Sequence, residues 1–354
     1  MKTLKKLTAM TLALVLALSL AACGQTQSPP QTQPPATLPA TQPPVTQPAT
    51  QPTQIDLAPP VLQVNVSVLN GTTGFGMANL MDAAAKGEAL QNYAFTVETD
   101  ASNIVAGLVN GSIDIAALPT NAAATVYNKT QGGVQVIALN TLGVLYLVTD
   151  GSVTVESMAD LEGMTVYAPA QNPSFIFQHL CQANGVNVTI DNTYAQPADL
   201  NTAVASGQVS VAVLPEPLLT VARSQNPDLV VALDLTEEWD KVSPAGSLVQ
   251  GCVVVRTAFA QEHTDVVATF LEEYGASIDT MLTDVEGTAV KIEANGIFAK
   301  AKVAEKAIPN CNVCFITNGE MESALSEFLN IMYAVAPASV GGAVPGDDFY
   351  FICK

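Results

Sequence analysis

The sequence predicts an α/β fold with parallel sheets, and three observations carry that prediction. From residue 61 onward, short β-branched runs alternate with stretches of helical periodicity, the pattern that right-handed crossovers impose on parallel strands. Hydrophobic residues make up 49% of the chain, and residues 61–354 exceed the usual size of one core, so one large or two smaller units are expected. The sole long apolar run without charge lies at the N-terminus, which is not the composition of a transmembrane bundle. Charge narrows the function. Asp+Glu number 32 against 13 Lys+Arg, and three of those 13 are Lys2, Lys5 and Lys6. So acidic a chain has no surface to neutralise phosphates, which excludes nucleic acid as a partner and an electrostatic grip on anionic lipid.

The first element is an export signal. The three lysines precede an uncharged Leu/Ala-rich stretch at 7–20, too short to span a bilayer and suited to a secretory signal. Leu20-Ala21-Ala22-Cys23 then resembles a bacterial lipobox. Residues 1–22 are expected to be a lipoprotein signal peptide, with Cys23 as the lipidated N-terminus that anchors the protein to the outer face of the cell membrane. An ordinary cleavage site beside a chance cysteine is the alternative. Residues 23–60 read as a Pro/Thr/Gln-rich disordered linker, since 24–60 hold 11 Pro, 8 Gln, 7 Thr and the single charge Asp56. At PPII extension its reach is on the order of 110 Å, a spacer between membrane and folded body.

The folded part follows in order. Strand 61–69, loop 70–76 and helix 77–90 open it. Strand 93–98, helix 102–109, strand 113–118, helix 121–129 and strands 134–139 and 144–149 come next. Strand 165–168, helices 174–183 and 198–206, strand 209–214, helix 217–224 and strand 229–233 repeat the alternation. From residue 264 the pattern turns helical. Val266, Val267, Phe270, Leu271, Tyr274, Ile278 and Met281 recur at three- and four-residue steps, a stripe that reads as core. Helices 285–299 and 320–334 follow, then an apolar tail (Phe349, Tyr350, Phe351) expected to dock back.

Three segments carry a resemblance. Residues 103–120 run helix, Gly-Ser-Ile-Asp114 turn, strand, Pro119-Thr120; residues 157–169 begin Ser-Met-Ala-Asp-Leu-Glu-Gly163 and end at Pro169; residues 203–217 pass from a helix through Gly207 and a strand to Pro215-Glu216-Pro217. In order and spacing they resemble the substrate-binding proteins of ABC importers, nearest the nitrate/sulfonate/taurine and thiamine-precursor group. The resemblance covers roughly 61–283. It implies a type II periplasmic-binding-protein fold, two α/β lobes joined by a two-strand hinge, with lobe 1 at 61–148 plus 252–354 and lobe 2 at 149–251. Ligand would sit in the cleft between lobes, which close on it.

The candidate ligand residues sit at strand ends. In loop 70–76, Thr72, Thr73, Gly74 and Phe75 offer hydroxyls, backbone N–H groups and a ring for stacking; a plain strand-to-helix turn is the alternative. Thr120 and Asn121 follow a strand and also suit a helix cap. Asn172 and Ser174 stand where many relatives place a Gly-Ser loop, so the bulkier Gln171-Asn172 pair departs from the usual ligands. Glu216 either faces the cleft as an acceptor or favours the following helix dipole. Thr73, Thr120, Asn172 and Glu216 are expected to converge on one cleft. Trp239, Tyr167 and Tyr194 are as consistent with packing as with the cleft wall.

Enzyme chemistry has little support. His179 and His263 have no nucleophile or metal-ligand partner at motif spacing, and one Cys311-Asn-Val-Cys314 pair cannot supply a four-ligand zinc site. No cofactor, metal or catalytic residue is expected; a structural disulfide, joining the C-terminal tail, is the favoured use of the cysteines. The sequence-level reading is a monomeric lipoprotein. It would capture a small polar or aromatic-heterocyclic molecule of sulfonate, taurine or thiamine-precursor type for an ABC permease and its ATPase. An enzyme on the same fold, of menaquinone- or pyrimidine-pathway type, and a sensor ectodomain are the alternatives.

Overall fold

The computed structural model describes residues 62–353. The signal, Cys23 and the linker lie outside the described residues. The first lobe opens with β1 (Gln63–Leu69), α1 (Thr72–Phe75), α2 (Ala78–Lys86), β2 (Asn92–Glu98), α3 (Ala101–Asn110), β3 (Ile115–Pro119), α4 (Thr120–Thr130) and β4 (Val134–Thr141). The second holds β5 (Leu145–Thr149), β6 (Thr165–Tyr167), α5 (Asn172–Asn184), β7 (Thr189–Asp191), α6 (Pro197–Ala205), β8 (Val211–Pro215), α7 (Leu218–Gln225), β9 (Val230–Asp234) and α8 (Leu235–Val242). The chain then returns through β10 (Gly251–Arg256), α9 (Thr257–Glu262), α10 (Thr264–Thr283), α11 (Val285–Ala294), α12 (Ala301–Ala307), β11 (Val313–Ile316) and α13 (Asn318–Val335).

The strands form two sheets, in the orders β11-β4-β10-β3-β1-β2 and β7-β6-β8-β5-β9. In the first, β1 runs parallel to β2 and β3, β10 enters from the second lobe to lie antiparallel between β3 and β4, and β11 is antiparallel at the edge. In the second, β6 runs parallel to β7 and β8, and β5 enters from the first lobe to lie antiparallel between β8 and β9. The chain changes sheets between β4 and β5, a few residues before the expected break at 148/149, because all of Leu145–Thr149 pairs with β8 and β9. It returns between α8 and β10. Strand alternation sends alternate residues to opposite faces. Val64, Val66 and Val68 of β1 thus pack under α10, whose seven stripe residues are all buried. Tail residue Tyr350 bridges Val136 of β4, so the tail does dock.

Asp114 explains the turn motif before β3. Its carboxylate accepts from the Asn65 backbone N–H at 2.9 Å and from Arg256 Nη2 at 2.7 Å, tying β1, β3 and β10 together. One apolar cluster crosses both lobes. Leu118 and Leu139 of the first sheet join Leu145 and Val213 of the second through Leu248 and Val249 of the return crossing. α13 fills the seam: Phe328 lies 5.9 Å, ring to ring, from Trp239 of α8, which in turn meets His179 of α5 at 4.8 Å with the rings tilted by 50°. Trp239 is therefore packing, with its Nε1 donating to Ser247 Oγ at 2.9 Å.

The expected disulfide is absent: all five described cysteines are free. Cys311 points into the cluster under α10 while Cys314 packs against the seam cluster on the opposite face, so the C-x-x-C pair is split by its own strand. Phe328→Ala empties the centre of the seam and should cost about 3–5 kcal/mol. Urea unfolding read by fluorescence of Trp239, the chain's one tryptophan, should show a lower midpoint with an unchanged slope.

Candidate functional site

The C-terminal ends of the parallel strands in both sheets face one another across a cleft. From lobe 1 the wall is the β1–α1 turn, Thr99 after β2, and Asn121 after β3. From lobe 2 it is Gln171 after β6, Gln196-Pro197 before α6, and Pro215-Glu216-Pro217 after β8. The Glu216–Pro217 peptide bond is cis. Two cavities open along the cleft. One of about 390 Å³ lies between Asn70, Gly71, Thr72 and Phe298 of lobe 1 and Gln196 and Glu216 of lobe 2. The other, about 490 Å³, lies between Asn121 and Thr125 of α4 and Gln171 and Phe175 of lobe 2. On the lobe 2 side they are neighbours, since Ala170 N–H donates to Ala195 O at 2.9 Å and Gln171 and Gln196 follow directly.

The segment 70–76 is not a loop throughout, because α1 occupies its centre. Gly71 sits at φ 93°, a left-handed conformation that a side chain resists, and a Cβ on Gly74 would lie 2.7 Å from Leu69 O. The glycines therefore serve a tight return of the chain. Phe75 turns into the lobe 1 core and meets Phe298 edge-on at 6.2 Å; Phe298 takes the place in the cleft wall that Phe75 was expected to hold. Thr72 Oγ1 donates across the cleft to Glu216 O at 3.0 Å. Thr73 offers its carbonyl to Asn140 Nδ2 at 3.0 Å.

Thr120 is fully buried, and its hydroxyl donates to Val249 O on the return crossing at 2.8 Å. Asn121 lines the larger cavity. Ser174 is also buried, donating to Pro169 O at 2.7 Å and accepting from Asn192 Nδ2 at 2.6 Å. The Glu216 carboxylate turns back to its own helix, accepting from Thr220 N–H at 3.0 Å and Thr220 Oγ1 at 2.9 Å. Burial pushes the Glu216 carboxyl above its ordinary range, against the lowering effect of the Thr220 bonds. Thr72, Thr120 and Glu216 thus knit the lobes to each other or to the crossings. Asn121 keeps a free side chain in the larger cavity, whereas the Asn172 Oδ1 is buried without a partner. Of Thr73, Thr120, Asn172 and Glu216, expected to converge on one cleft, only Glu216 lines a cleft cavity, because the other three are turned to protein partners or buried.

Sequence reasoning missed several positions. Gln250 clamps the two crossings: its Oε1 accepts from Val144 N–H at 2.8 Å, while its own N–H donates to Thr141 O at 2.9 Å. Asn312 Nδ2 adds a bond to Gly143 O at 2.6 Å. Gln171 adopts φ 66° and ψ −128°, a region that glycine alone occupies freely. The sequence signal was the bulky Gln171-Asn172 pair in a strand-to-helix turn where a small residue was expected. Tyr167 and Tyr194 pair at 6.0 Å on lobe 2 and line neither cavity. His179 donates to or accepts from Ser243 Oγ at 2.8 Å, and burial lowers its pKa. Among the described residues no cluster of three or more His, Cys, Asp or Glu is placed to hold a metal. No described helix is long and apolar enough to cross a membrane.

Known structures share this architecture. A crystal structure of an ABC transporter from Parabacteroides distasonis superposes with a TM-score of 0.71 at 22% identity, covering 82% of this chain and 99% of that one. The periplasmic aliphatic sulphonate binding protein SsuA from Escherichia coli gives 0.64 at 13% identity over 79% of this chain and 90% of its own. The ligand binding component of an ABC-type import system from Staphylococcus aureus, solved with zinc bound, gives 0.63 at 13% identity over 82% and 96%. The chain has the periplasmic-binding-protein fold. In this fold the two lobes and the exchanged strands β5 and β10 agree with the type II arrangement expected from the sequence. No model of a protein family matches the chain, and no curated protein matches it in sequence.

Glu216 supplies a pH test. Its carboxyl is raised by burial, so the folded state holds that proton more tightly than the unfolded state does. The resulting stability is complete below the unfolded pKa and is lost as pH rises through the folded value. Glu216→Gln, which stays neutral, should therefore gain on the wild type as pH is raised from 4 to 8. A difference in thermal midpoint that is flat over this range would mean that Thr220 fully offsets the burial.

Proposed function

We propose that the protein is an extracytoplasmic solute-binding lipoprotein of an ABC importer, held at the membrane through Cys23. It captures a small polar or aromatic-heterocyclic molecule in the interlobe cleft and presents the ligand-bound form to a permease with its ATPase. The observation that carries the reading is the cleft itself. Two lobes joined by two crossings turn strand ends and the starts of α4, α5, α6 and α7 toward each other, with amide and hydroxyl side chains between them. Such a site binds without bond-making chemistry, because ligand contacts shared by both lobes shift an open–closed equilibrium.

The walls favour a ligand of mixed character. Phe298, Pro197 and Pro217 give apolar surface, while Gln196, Thr72 and Asn70 give hydrogen bonds. A sulfonate-, taurine- or thiamine-precursor-like molecule fits that description, and the SsuA relative is named for aliphatic sulphonate binding. The amides of Gln196 in the smaller cavity and Gln171 in the larger are the ligand contacts on lobe 2.

Native mass spectrometry of the chain from residue 24 should retain a co-purified small molecule that is recovered unchanged after release. Gln196→Ala should weaken rebinding at least tenfold by calorimetry. A released molecule that has been chemically altered would overturn the binding reading in favour of an enzyme.

A further inference from the structure

The larger cavity extends beyond the strand ends, and four independent features meet there. Nine lysines and arginines are described, five of them in ion pairs; Lys129, one of the other four, lines this cavity. Ser339, just after α13, lines it as well, and its hydroxyl oxygen is buried with no hydrogen-bond partner. Gln171 reaches it from lobe 2 while holding a backbone conformation that glycine would adopt without strain. Val105, Val126 and Phe175 supply an apolar surface between these polar groups. A lysine in the last turn of α4 also suits the helix dipole. The dipole accounts for neither the orphaned hydroxyl nor the strained glutamine beside it.

Distance separates this region from the strand-end floor. Lys129 stands nine residues beyond Thr120 on α4, about 13 Å along the helix axis. We infer that the cavity is an outer compartment of the cleft, built to take the anionic end of an elongated amphipathic ligand. Lys129 pairs with the charge, the Ser339 hydroxyl donates to it, and the apolar body lies along Val105, Val126 and Phe175. Gln171 is the specificity-determining residue, placed where the body would pass from the outer compartment toward the strand ends. A glycine there would remove both the strain and the amide. The inference rests on the solute-binding reading for the ligand's purpose and stands apart from it in its chemistry.

The test uses octanoate, octylamine and acetate as probes, by calorimetry and thermal shift on the chain from residue 24. Octanoate should bind, with acetate and octylamine at least tenfold weaker. Lys129→Gln should weaken octanoate at least tenfold. Gln171→Gly should keep or raise the thermal midpoint while losing at least fivefold in octanoate affinity, a pairing that a purely structural glutamine would not produce. Equal binding of octanoate and octylamine, no binding of either, or undiminished octanoate binding by Lys129→Gln would each overturn the compartment. A chain that carries a co-purified solute yet ignores octanoate overturns the compartment and leaves the solute-binding reading in place. A chain that binds octanoate through Lys129 but carries and rebinds no solute keeps the compartment and counts against that reading.

Discussion

The apolar seam around Trp239 and Phe328 is the constraint on which the rest of the molecule depends. Two α/β lobes joined only by two extended crossings would be free to tumble. Here α13, from the end of the chain, packs its buried face on α5 and α8 of the other lobe. One cluster of buried side chains then runs from Leu118 and Leu139 in one sheet to Leu145 and Val213 in the other. Burial of Trp239 and Phe328 is worth several kcal/mol together, comparable to a fair share of a domain's net stability. The seam fixes one side of the cleft, while at Glu216 the lobes are joined by the Thr72 hydroxyl, by Tyr146 OH donating to Asn310 O at 2.9 Å and by α7 against α12, polar contacts worth about 1 kcal/mol each beside that packing.

The crossings share this logic on a smaller scale. Buried backbone groups need partners, and at a sheet-to-sheet crossing the ladders can supply few. Gln250 and Asn312 fill the gap with side-chain amides on Val144 N–H and Gly143 O. Thr120 spends its hydroxyl on Val249 O for the same reason. This is why so many cleft threonines and serines turn out to be occupied by the protein. Among the described residues six buried side-chain atoms lack a protein partner, and of these only the Ser339 hydroxyl belongs to a residue lining either cleft cavity, which is where a ligand has something to satisfy.

Legibility followed periodicity. The α10 stripe was readable because seven apolar residues at helical spacing have one physical outcome, burial, and all seven are buried. The strand–helix alternation was readable for the same reason. α1 was not, since Thr-Thr-Gly-Phe has poor helix propensity and is shaped by the turn at Gly71 and the packing of Phe75. α8 left a signal that went unread: Asp234 caps it by accepting from Thr236 N–H at 2.8 Å, with Glu237 and Glu238 in the first turn. The candidate site was legible only as positions. Loop sequence places a hydroxyl at a strand end but does not say whether it faces inward, because that depends on which distant carbonyl, such as Val249 O, comes within reach. The strain at Gln171 lay further out of view, since only the surrounding fold makes a left-handed backbone obligatory there.

Electrostatics sets the last relation between body and cleft. A chain with a formal charge of −19 surrounds any approaching anion with repulsive potential. A ligand with an anionic end can settle only where a local cation outweighs that field, and Lys129 is the one cation lining the two cleft cavities. Its position on the exposed last turn of α4 places that charge at the outer end of the cleft, where an incoming molecule arrives first. The interior beyond it is walled mainly by amides and hydroxyls, with the Glu216 carboxyl turned back onto Thr220, and costs a ligand less to enter than a charged one would, since uncharged donors and acceptors exchange for water at little net cost while a buried charge must be fully repaid. The arrangement therefore sorts a ligand by its ends: charge outside at α4, and hydrogen-bonding or apolar body toward the strand ends.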